Sequence, residues 1–253
     1  MKPAKPAAEM TVAELAAYID HSILKPEFSA DEIRREVENA AKYQCKTACI
    51  NPASIELAAP ILAGTSTGIC VVVDFPFGCS STQSKVAQAM IALEQGVQEL
   101  DIVANFGWAR GGALQAVEDD LRAVIEPCHQ ADVPVKVIFE TDALTVDQIR
   151  AVAEASIAAG ADFIKTSTGF YTGTTMHEKT GASDDMVALM MECAAGRAKV
   201  KGSGSIRDRA HFLRLIDAGV DRMGIGYRST PVVLGVDAAG NGVDSALAGA
   251  GSY

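Results

Sequence analysis

Short apolar segments typical of buried β-strands alternate with helical segments eight times along this chain. We predict strands over residues 18–22, 46–50, 69–75, 99–103, 134–140, 162–166, 199–203 and 222–225. Eight strand–helix units in 253 residues are typical of a (β/α)8 TIM barrel, the α/β fold in which parallel strands close on themselves. A doubly wound open sheet is the competing architecture, but the first strand-to-helix turn lacks its usual glycine fingerprint.

Helix start and stop signals support the same alternation. Capping boxes, in which a side chain and the backbone satisfy each other, occur at Thr11-x-x-Glu14, Ser29-x-x-Glu32 and Thr145-x-x-Gln148. Glycines that would end helices follow three helical segments, at Gly96, Gly160 and Gly219. We therefore predict a single domain over residues 1–253, with an extra N-terminal helix and a flexible tail from about residue 235, rich in Gly, Ala and Ser.

Charge and composition narrow the classes of partner. The chain has 32 acidic and 22 basic residues, and its net charge of −10 argues against a nucleic acid or an anionic membrane as partner. It shows no signal peptide and no membrane-spanning run, which predicts a cytoplasmic protein. Its six cysteines form no CxxC motif and its four histidines show no zinc spacing, so we expect reduced thiols, no metal and no cofactor.

Charged residues within the predicted strands indicate where the chemistry lies. Asp101, Lys136, Lys165 and Lys201 lie on the fourth to the seventh strand, and Asp20 lies on the first. Because the interior of a barrel is packed, charges there must be paired or used. Active sites of this fold lie at the carboxyl ends of the strands.

Lys165 and Lys201 end neighbouring strands, so their side chains should lie close together. A lysine in a desolvated site beside a second cation has a lowered pKa, which makes its amine a nucleophile that forms Schiff bases with carbonyls. The alternative is structural: one lysine pairs with Asp101 and the other extends to solvent. Spacing alone does not separate these two interpretations.

Seven motifs occur in order from the first predicted strand to the eighth. They are IDHSILKP (19–26), CINP (49–52), DFPFG (74–78), ELDIV (99–103), KVIFE (136–140), IKTSTG (164–169) and KGSGSIR (201–207). Each motif is weak alone, but the ordered series resembles the deoxyribose-phosphate aldolase family.

The resemblance implies a class I aldolase that reversibly cleaves 2-deoxy-D-ribose 5-phosphate to acetaldehyde and D-glyceraldehyde 3-phosphate without a metal. By position, Lys165 corresponds to the Schiff-base lysine, Lys201 to the cation that lowers its pKa, and Asp101 to the group that transfers protons with an ordered water. Asp20 and Lys136 match supporting residues of the same polar network. The family also allows a homodimer.

Two further residues match features of the family. Some members end in a tyrosine thought to exchange the enamine proton, and this chain ends in Tyr253, although a terminal tyrosine can equally be incidental. Cys49 matches a cysteine near the active centre that reacts with unsaturated aldehydes. A buried small apolar residue is the default interpretation of Cys49.

The phosphate end departs from the family. Phe170 stands where well-studied members have a lysine, and Tyr227 lies where a serine is usual. We still expect seven residues to bind phosphate through backbone amides or side chains: Gly169, Gly204, Ser205, Ile206, Arg207, Gly224 and Gly226. Either phosphate is bound mainly by backbone in a more apolar pocket, or the enzyme acts on unphosphorylated aldehydes. Backbone donors survive most side-chain changes, which favours the first interpretation.

Two other functional classes predict different residues. A binding protein on a retired aldolase barrel would have lost a catalytic group, yet Lys165, Lys201 and Asp101 are all present. An isomerase would need a second carboxylate or a histidine to accompany Glu140 at the strand ends. Borohydride with acetaldehyde separates these classes, because only the aldolase forms a reducible adduct.

Overall fold

The computed structural model describes residues 2–237. Within them eight parallel strands form a closed barrel in chain order, each paired with its sequence neighbours and β1 paired with β8. The strands are β1 (Ile19–Ile23), β2 (Thr47–Ile50), β3 (Gly68–Val73), β4 (Glu99–Val103), β5 (Val135–Ile138), β6 (Phe163–Lys165), β7 (Lys199–Ser203) and β8 (Arg222–Gly226). The predicted TIM barrel is confirmed.

Helices connect the strands and surround the barrel. They are α1 (Val12–Ala16), α2 (Ala30–Lys42), α3 (Ile55–Leu62), α4 (Thr82–Glu94), α5 (Phe106–Arg110), α6 (Leu114–Gln130), α7 (Val146–Ala158), α8 (Asp184–Ala194), α9 (Arg209–Ala218) and α10 (Thr230–Leu234). Short 3-10 helices lie at Ala7–Glu9, Pro52–Ser54 and Thr141–Ala143. All three predicted capping boxes form, and α1 is the predicted extra N-terminal helix.

Two strands, β3 and β5, end two residues earlier than predicted, and the backbone explains why. Asp74 has φ 51° and Glu140 has φ 57°, a left-handed conformation that cannot continue a strand. β3 therefore stops at Val73, and β5 stops at Ile138. Both turns lie at the carboxyl end of the barrel, where the chain is directed into the loops around the site.

Apolar and charged side chains occupy different layers. The main apolar cluster lies between the strands and the surrounding helices and includes Val71, Leu100, Val137, Ile164 and Val200. Successive strand residues point to opposite faces, so the residues between these face the barrel interior. That interior contains buried charged groups in addition to aliphatic side chains.

Among the described residues, no helix combines the length and the apolar character needed to span a membrane. The tail predicted from about residue 235 falls largely beyond residue 237, and Tyr253 lies outside the described residues. The role expected for Tyr253 stays a prediction.

Candidate active site

Strand register places the two predicted lysines side by side. Lys165 on β6 is the direct partner of Lys201 on β7, and Asp101 on β4 is the direct partner of Lys136 on β5. All four side chains are at least 97% buried. The barrel thus brings together the four charged residues that the sequence singled out.

Asp101 lies at the centre of this cluster. Its Oδ2 accepts hydrogen bonds from Lys165 Nζ at 2.6 Å and from Lys201 Nζ at 2.7 Å. Its Oδ1 accepts from Lys136 Nζ at 2.9 Å and from Cys70 Sγ at 3.1 Å. One carboxylate therefore connects three lysines, and Lys165 and Lys201 share its Oδ2 atom.

A second layer of ion pairs lies closer to the amino ends of the strands. Asp20 Oδ2 is 2.5 Å from Lys201 Nζ, and Asp20 Oδ1 is 2.6 Å from Arg222 Nη1. Glu99 Oε2 accepts from Lys136 Nζ at 2.6 Å and from Arg222 Nη1 at 2.9 Å. This layer forms ion pairs with Lys201 and Lys136 on the side that faces the amino ends of the strands.

The electrostatics follow from this pairing. Burial raises the pKa of Asp101, but the lysines around it outweigh burial and hold that pKa well below its ordinary value. For Lys201, burial lowers the pKa, yet Asp101 and Asp20 outweigh burial and the net shift is upward. The pKa of Lys136 is raised for the same reason, with Asp101 as its strongest partner. The pairing therefore favours the charged forms of Lys136, Lys201 and Asp101 in the free protein.

Lys165 is held less firmly than its neighbours. Among the described residues, one carboxylate, Asp101, lies within ion-pair distance of the Lys165 ammonium group. Lys201 contacts two, Asp20 and Asp101. Neither lysine extends to solvent, so the structural alternative of one paired and one exposed lysine does not describe this site. Lys165 and Lys201 therefore differ in the number of carboxylates that hold them, although both are buried.

Two thiols border the charged cluster. Cys49 and Cys70 are register partners on β2 and β3, and both are buried. The interaction with the Cys70 thiol lowers the pKa of Cys49, against the effect of burial. Cys49 also packs in a small apolar cluster with Leu24 and Val72, with Phe75 and Phe170 against it. Cys49 is thus a buried thiol beside the lysines, and its expected reactivity with aldehydes stays a prediction.

Two groups of described side chains lie close enough together to surround a metal ion: Cys49, Cys70 and Asp101, and Asp20, Cys70 and Glu99. Their carboxylate oxygens already accept hydrogen bonds from lysine and arginine side chains at 2.5–2.9 Å. A divalent cation there would face several fixed positive charges at short range. The donor set fits an ion-pair network better than a metal centre.

A pocket of about 230 Å³ opens at the carboxyl end of the barrel. Its lining includes four of the predicted phosphate-binding residues, namely Gly169, Gly204, Ser205 and Arg207, together with Lys25 and Thr180. Its wall is a close contact between two loops: a Cβ on Gly181 would lie 2.5 Å from the carbonyl carbon of Gly204. Two loops can approach this closely only because Gly181 has no side chain.

The other predicted phosphate-binding residues lie elsewhere. Ile206 is buried in the apolar cluster beside β8, which leaves only its backbone for a ligand. Gly224 and Gly226 lie in β8 and are not part of the pocket lining. A Cβ on Gly224 would lie 2.7 Å from Ser203 Oγ, so Gly224 leaves space for the Ser203 hydroxyl group, and its distance of 3.6 Å from Lys201 Cε would be an ordinary contact.

The two aromatic departures from the family have different positions. Phe170 lines the pocket, packs edge-on against Phe75 at 5.3 Å between ring centroids, and lies 5.8 Å from Lys25 Nζ. Tyr227 is not part of this lining and packs edge-on against Phe28 at 5.0 Å. The expectation that both rings make the pocket more apolar therefore holds for Phe170 alone.

Sequence reasoning missed several residues of the site. Glu99 and Arg222 both lie within predicted strands, so the search for charged strand residues that indicated Asp101 and Lys201 could also have found them. Cys70 and Lys25 left no comparable signal, because the first is a common core residue and the second lies in a loop.

Comparisons with known proteins agree with this geometry. The profile of the DeoC/LacD family aldolases matches residues 15–237. A deoxyribose-phosphate aldolase of Desulfitobacterium hafniense is 40% identical over 215 residues, covering 85% of this chain and 95% of the relative. One from Rhodospirillum rubrum is 41% identical over 241 residues, covering 95% and 97%.

Solved structures show the same likeness. QR15, described as an aldolase, superposes with a TM-score of 0.78 at 35% identity, covering 87% of this chain and 94% of that one. The deoxyribose phosphate aldolase from Aeropyrum pernix, described as a tetramer, superposes with a TM-score of 0.77 at 28% identity, covering 88% of this chain and 91% of that one. Profile, relatives and barrel agree: this chain belongs to the DeoC/LacD family of aldolases.

Proposed function

We propose that this protein is a class I aldolase that reversibly cleaves 2-deoxy-D-ribose 5-phosphate to acetaldehyde and D-glyceraldehyde 3-phosphate. The observation that carries the proposal is the shared carboxylate: Lys165 Nζ and Lys201 Nζ both donate to Asp101 Oδ2. A nucleophilic amine, a fixed cation and a carboxylate for proton transfer are the groups that Schiff-base chemistry requires. The identity of the chain to named deoxyribose-phosphate aldolases supports the substrate.

Lys165 is the nucleophile in this proposal. It is 2% exposed and Lys201 is fully buried, so Lys165 is the more accessible of the two from the barrel mouth. Lys201 remains charged, because Asp20 and Asp101 both hold its ammonium group. Its positive charge then favours the neutral form of the neighbouring amine.

The reaction balances without an external reagent. The Lys165 amine attacks C1 of the open-chain sugar, and loss of water gives an iminium ion. Removal of the proton from the 3-hydroxyl group breaks the C2–C3 bond, which releases glyceraldehyde 3-phosphate while the electron pair moves to nitrogen and forms an enamine. Protonation of C2 and addition of one water release acetaldehyde and restore the amine. Asp101, a carboxylate held next to both lysines, transfers these protons.

Trapping with borohydride tests the nucleophile. Acetaldehyde and borohydride should convert Lys165 to N-ethyl-lysine, detected by peptide mass spectrometry, and Lys165→Ala should lose both the adduct and turnover. Lys199→Ala is the matched control, because Lys199 is exposed at the opposite end of β7 and should leave the adduct in place. An adduct that persists in Lys165→Ala would contradict the assignment.

The pocket at the barrel mouth supports a phosphorylated substrate. Lys25 and Arg207 supply positive charge there, beside the backbone of Gly204 and Ser205. In this proposal Lys25, from the loop after β1, provides the cation that the family often places at the position of Phe170. Gly169 contributes backbone on the same side, and Ile206 contributes only its amide.

The ratio of kcat/KM for 2-deoxyribose 5-phosphate and 2-deoxyribose tests the phosphate site. We expect a preference of a hundredfold or more, equivalent to about 3 kcal/mol. Lys25→Met should lower this ratio, and Lys199→Met should not. A wild-type ratio near one would favour the alternative, aldol chemistry on unphosphorylated aldehydes.

We propose that the partners of this protein are small molecules and not nucleic acids or membranes, which its acidic net charge supports. We also propose that it is a cytoplasmic enzyme that can form a homodimer. Sedimentation velocity at several protein concentrations distinguishes a monomer, a dimer and a tetramer like that described for the Aeropyrum pernix protein.

A further inference from the structure

Glu140 is a buried carboxyl group outside the lysine cluster. It follows β5 in a left-handed conformation (φ 57°, ψ 63°), which a residue with a side chain adopts at a cost. The residue is 1% exposed, and its Oε1 has no hydrogen-bond partner within the described part of the chain. A strained backbone and a buried polar atom at the mouth of a barrel are costs that function commonly explains.

The other oxygen of Glu140 organises the segment that follows Lys165. Its Oε2 accepts hydrogen bonds from Thr168 Oγ1 and, at 3.4 Å, from Thr168 N. Thr168 Oγ1 in turn accepts from Phe170 N at 3.0 Å. The chain of bonds runs from Glu140 through Thr168 to Phe170, which lines the pocket at the barrel mouth.

Further contacts join the turn after β5 to the segment after β6. Thr141 Oγ1 lies 2.8 Å from Ser167 Oγ, and Thr141 N donates to Thr166 O at 3.2 Å. Asp142 lines the same pocket and accepts from Gly181 N at 2.8 Å. The turn after β5 thus forms the support on which the segment after β6 rests.

We propose that Glu140 is a positioning residue whose neutral carboxyl group holds residues 168–170 in place beside Lys165 and keeps negative charge away from the substrate phosphate. The inference rests on the proposed function, since it assumes a phosphorylated substrate. It concerns the binding of the phosphate end, because residues 169 and 170 line that pocket.

The surroundings of Glu140 favour its neutral form below about pH 7. Burial, with a smaller contribution from the nearby Asp142, raises the pKa of Glu140 to about 7, although the hydrogen bond from Thr168 acts in the opposite direction. The groups that face it are Asp142 from its own turn and the hydroxyls of Ser167 and Thr168 from the segment after β6. Burial also raises the pKa of Asp142, against a smaller opposing effect of the nearby His177. Above neutral pH an added carboxylate would repel a phosphate dianion in the adjoining pocket.

The test compares KM and kcat from about pH 6 to about pH 9 for wild type, Glu140→Gln and Glu140→Ala. We expect KM of the wild type for 2-deoxyribose 5-phosphate to rise about threefold or more above pH 7, as repulsion by a new buried charge requires. Glu140→Gln, which resembles the neutral acid, should lack this rise, so the ratio of the wild-type KM to the variant KM should increase above pH 7. Titration of the substrate phosphate is common to both proteins and cancels in this ratio.

Further variants separate positioning from a general loss of stability. Glu140→Ala and Thr168→Val should lower kcat/KM about tenfold at every pH, because each breaks the bonded chain, and Thr168→Ser should restore most of it. Glu94→Gln is the control, because Glu94 is exposed at the end of α4. With unphosphorylated 2-deoxyribose the difference between wild type and Glu140→Gln should vanish.

Two results would overturn the inference: a pH profile of Glu140→Gln parallel to that of the wild type, or full activity of both Glu140→Ala and Thr168→Val. Failure of the proposed function looks different. In that case the wild type itself forms no borohydride adduct or shows no preference for the phosphorylated sugar, whatever the variants do.

Discussion

Lys165 and Lys201 are neighbours that share a carboxylate oxygen, yet their partners give them different chemistry. Lys201 contacts Asp20 at 2.5 Å and Asp101 at 2.7 Å, whereas Lys165 contacts Asp101 at 2.6 Å. Lys165 ends β6 and Lys201 lies in the middle of β7, a difference that residue type does not show. Their different pairing arises from Asp20 on β1, which only β8 separates from β7 in the closed barrel.

Replacing Lys201 with leucine should therefore do more than remove a charge. Asp20 and Asp101 would lose a buried cation, and we expect kcat/KM for 2-deoxyribose 5-phosphate to fall at least about a hundredfold, with a loss of about 3 kcal/mol in the free energy of unfolding. Lys201→Arg keeps the charge and should retain more activity and stability. Steady-state kinetics and urea unfolding measure the two effects, and full activity of Lys201→Leu would contradict the role given to this cation.

The buried carboxyl group of Glu140 leads to a second prediction, which concerns the free energy of unfolding. Burial raises the pKa of Glu140 from 4.5 to about 7 in the folded protein. Between these values the folded protein keeps a proton that the unfolded chain releases, so stability must fall as pH rises from 4.5 to 7. The shift corresponds to at most about 3 kcal/mol. Urea unfolding at about pH 5 and about pH 8 should show that Glu140→Gln loses less stability with pH than the wild type, and equal losses would count against the shift.

Sequence reasoning identifies some residues of the site and misses others for physical reasons. Charges within predicted strands indicated Asp101, Lys136 and Lys201, because a packed interior tolerates charge only when it is paired. The strain at Glu140 is a backbone property, and residue type does not show it. Lys25 reaches the pocket from a loop, whose course depends on contacts between elements that are distant in sequence.

At the scale of elements, the loops at the carboxyl end depend on buried anchors. Lys85 of α4 is fully buried and donates to Asp120 of α6 at 2.6 Å and to Val103 O at the end of β4 at 3.2 Å. Its Nζ also lies 3.6 Å from Asp74, where the loop after β3 begins. The next residue of that loop is Phe75, which packs against Phe170. One lysine thus connects two helices to the loop that covers the site.

Lys85→Met should destabilise the protein by about 3 kcal/mol, because it leaves Asp120 buried without its cation. The loop that carries Phe75 should loosen, and KM should rise as its contact with Phe170 weakens. Thermal unfolding and hydrogen exchange over residues 74–81 measure these effects. Lys179→Met is the control, since that side chain is 70% exposed. Equal stability of the two variants would show that Lys85 is not an anchor.

Element boundaries were predictable where side chains set them. The capping boxes at Ser29 and Thr145 start α2 and α7 as predicted, because those signals act within four residues. The ends of β3 and β5 were not predictable, since apolar Phe75 follows the turn at Asp74 and apolar Phe139 follows the last residue of β5. The closure of the barrel followed from the count of strand–helix units alone.

At the scale of the whole molecule, the barrel interior and the surface have opposite charge balances. Within residues 2–237 the central network contains four cations, Lys136, Lys165, Lys201 and Arg222, and three carboxylates, Asp20, Glu99 and Asp101. The whole chain carries a net charge of −10. The excess of one positive charge in this network therefore lies inside a molecule whose net charge is strongly negative.

The same network predicts how the molecule responds to acid. Burial raises the pKa of Asp20, but Lys201 and Arg222 outweigh it and hold the pKa below the ordinary 3.8. A lowered pKa contributes stability that is fully present above 3.8 and is lost as pH falls towards the folded value. The acid limb of the stability curve should therefore depend on this buried carboxylate.

Asp20→Asn isolates that contribution. The variant leaves Lys201 and Arg222 with one carboxylate fewer, so at about pH 7 its free energy of unfolding should be lower by about 3 kcal/mol. As pH falls below about 4 the wild type loses the same contribution by protonation, so the two curves should converge. Asp31→Asn, at a side chain that is 92% exposed, should run parallel to the wild type throughout. Urea unfolding at several pH values decides the matter, because a difference that stays constant down to about pH 3 would mean that packing rather than charge holds the centre of the barrel.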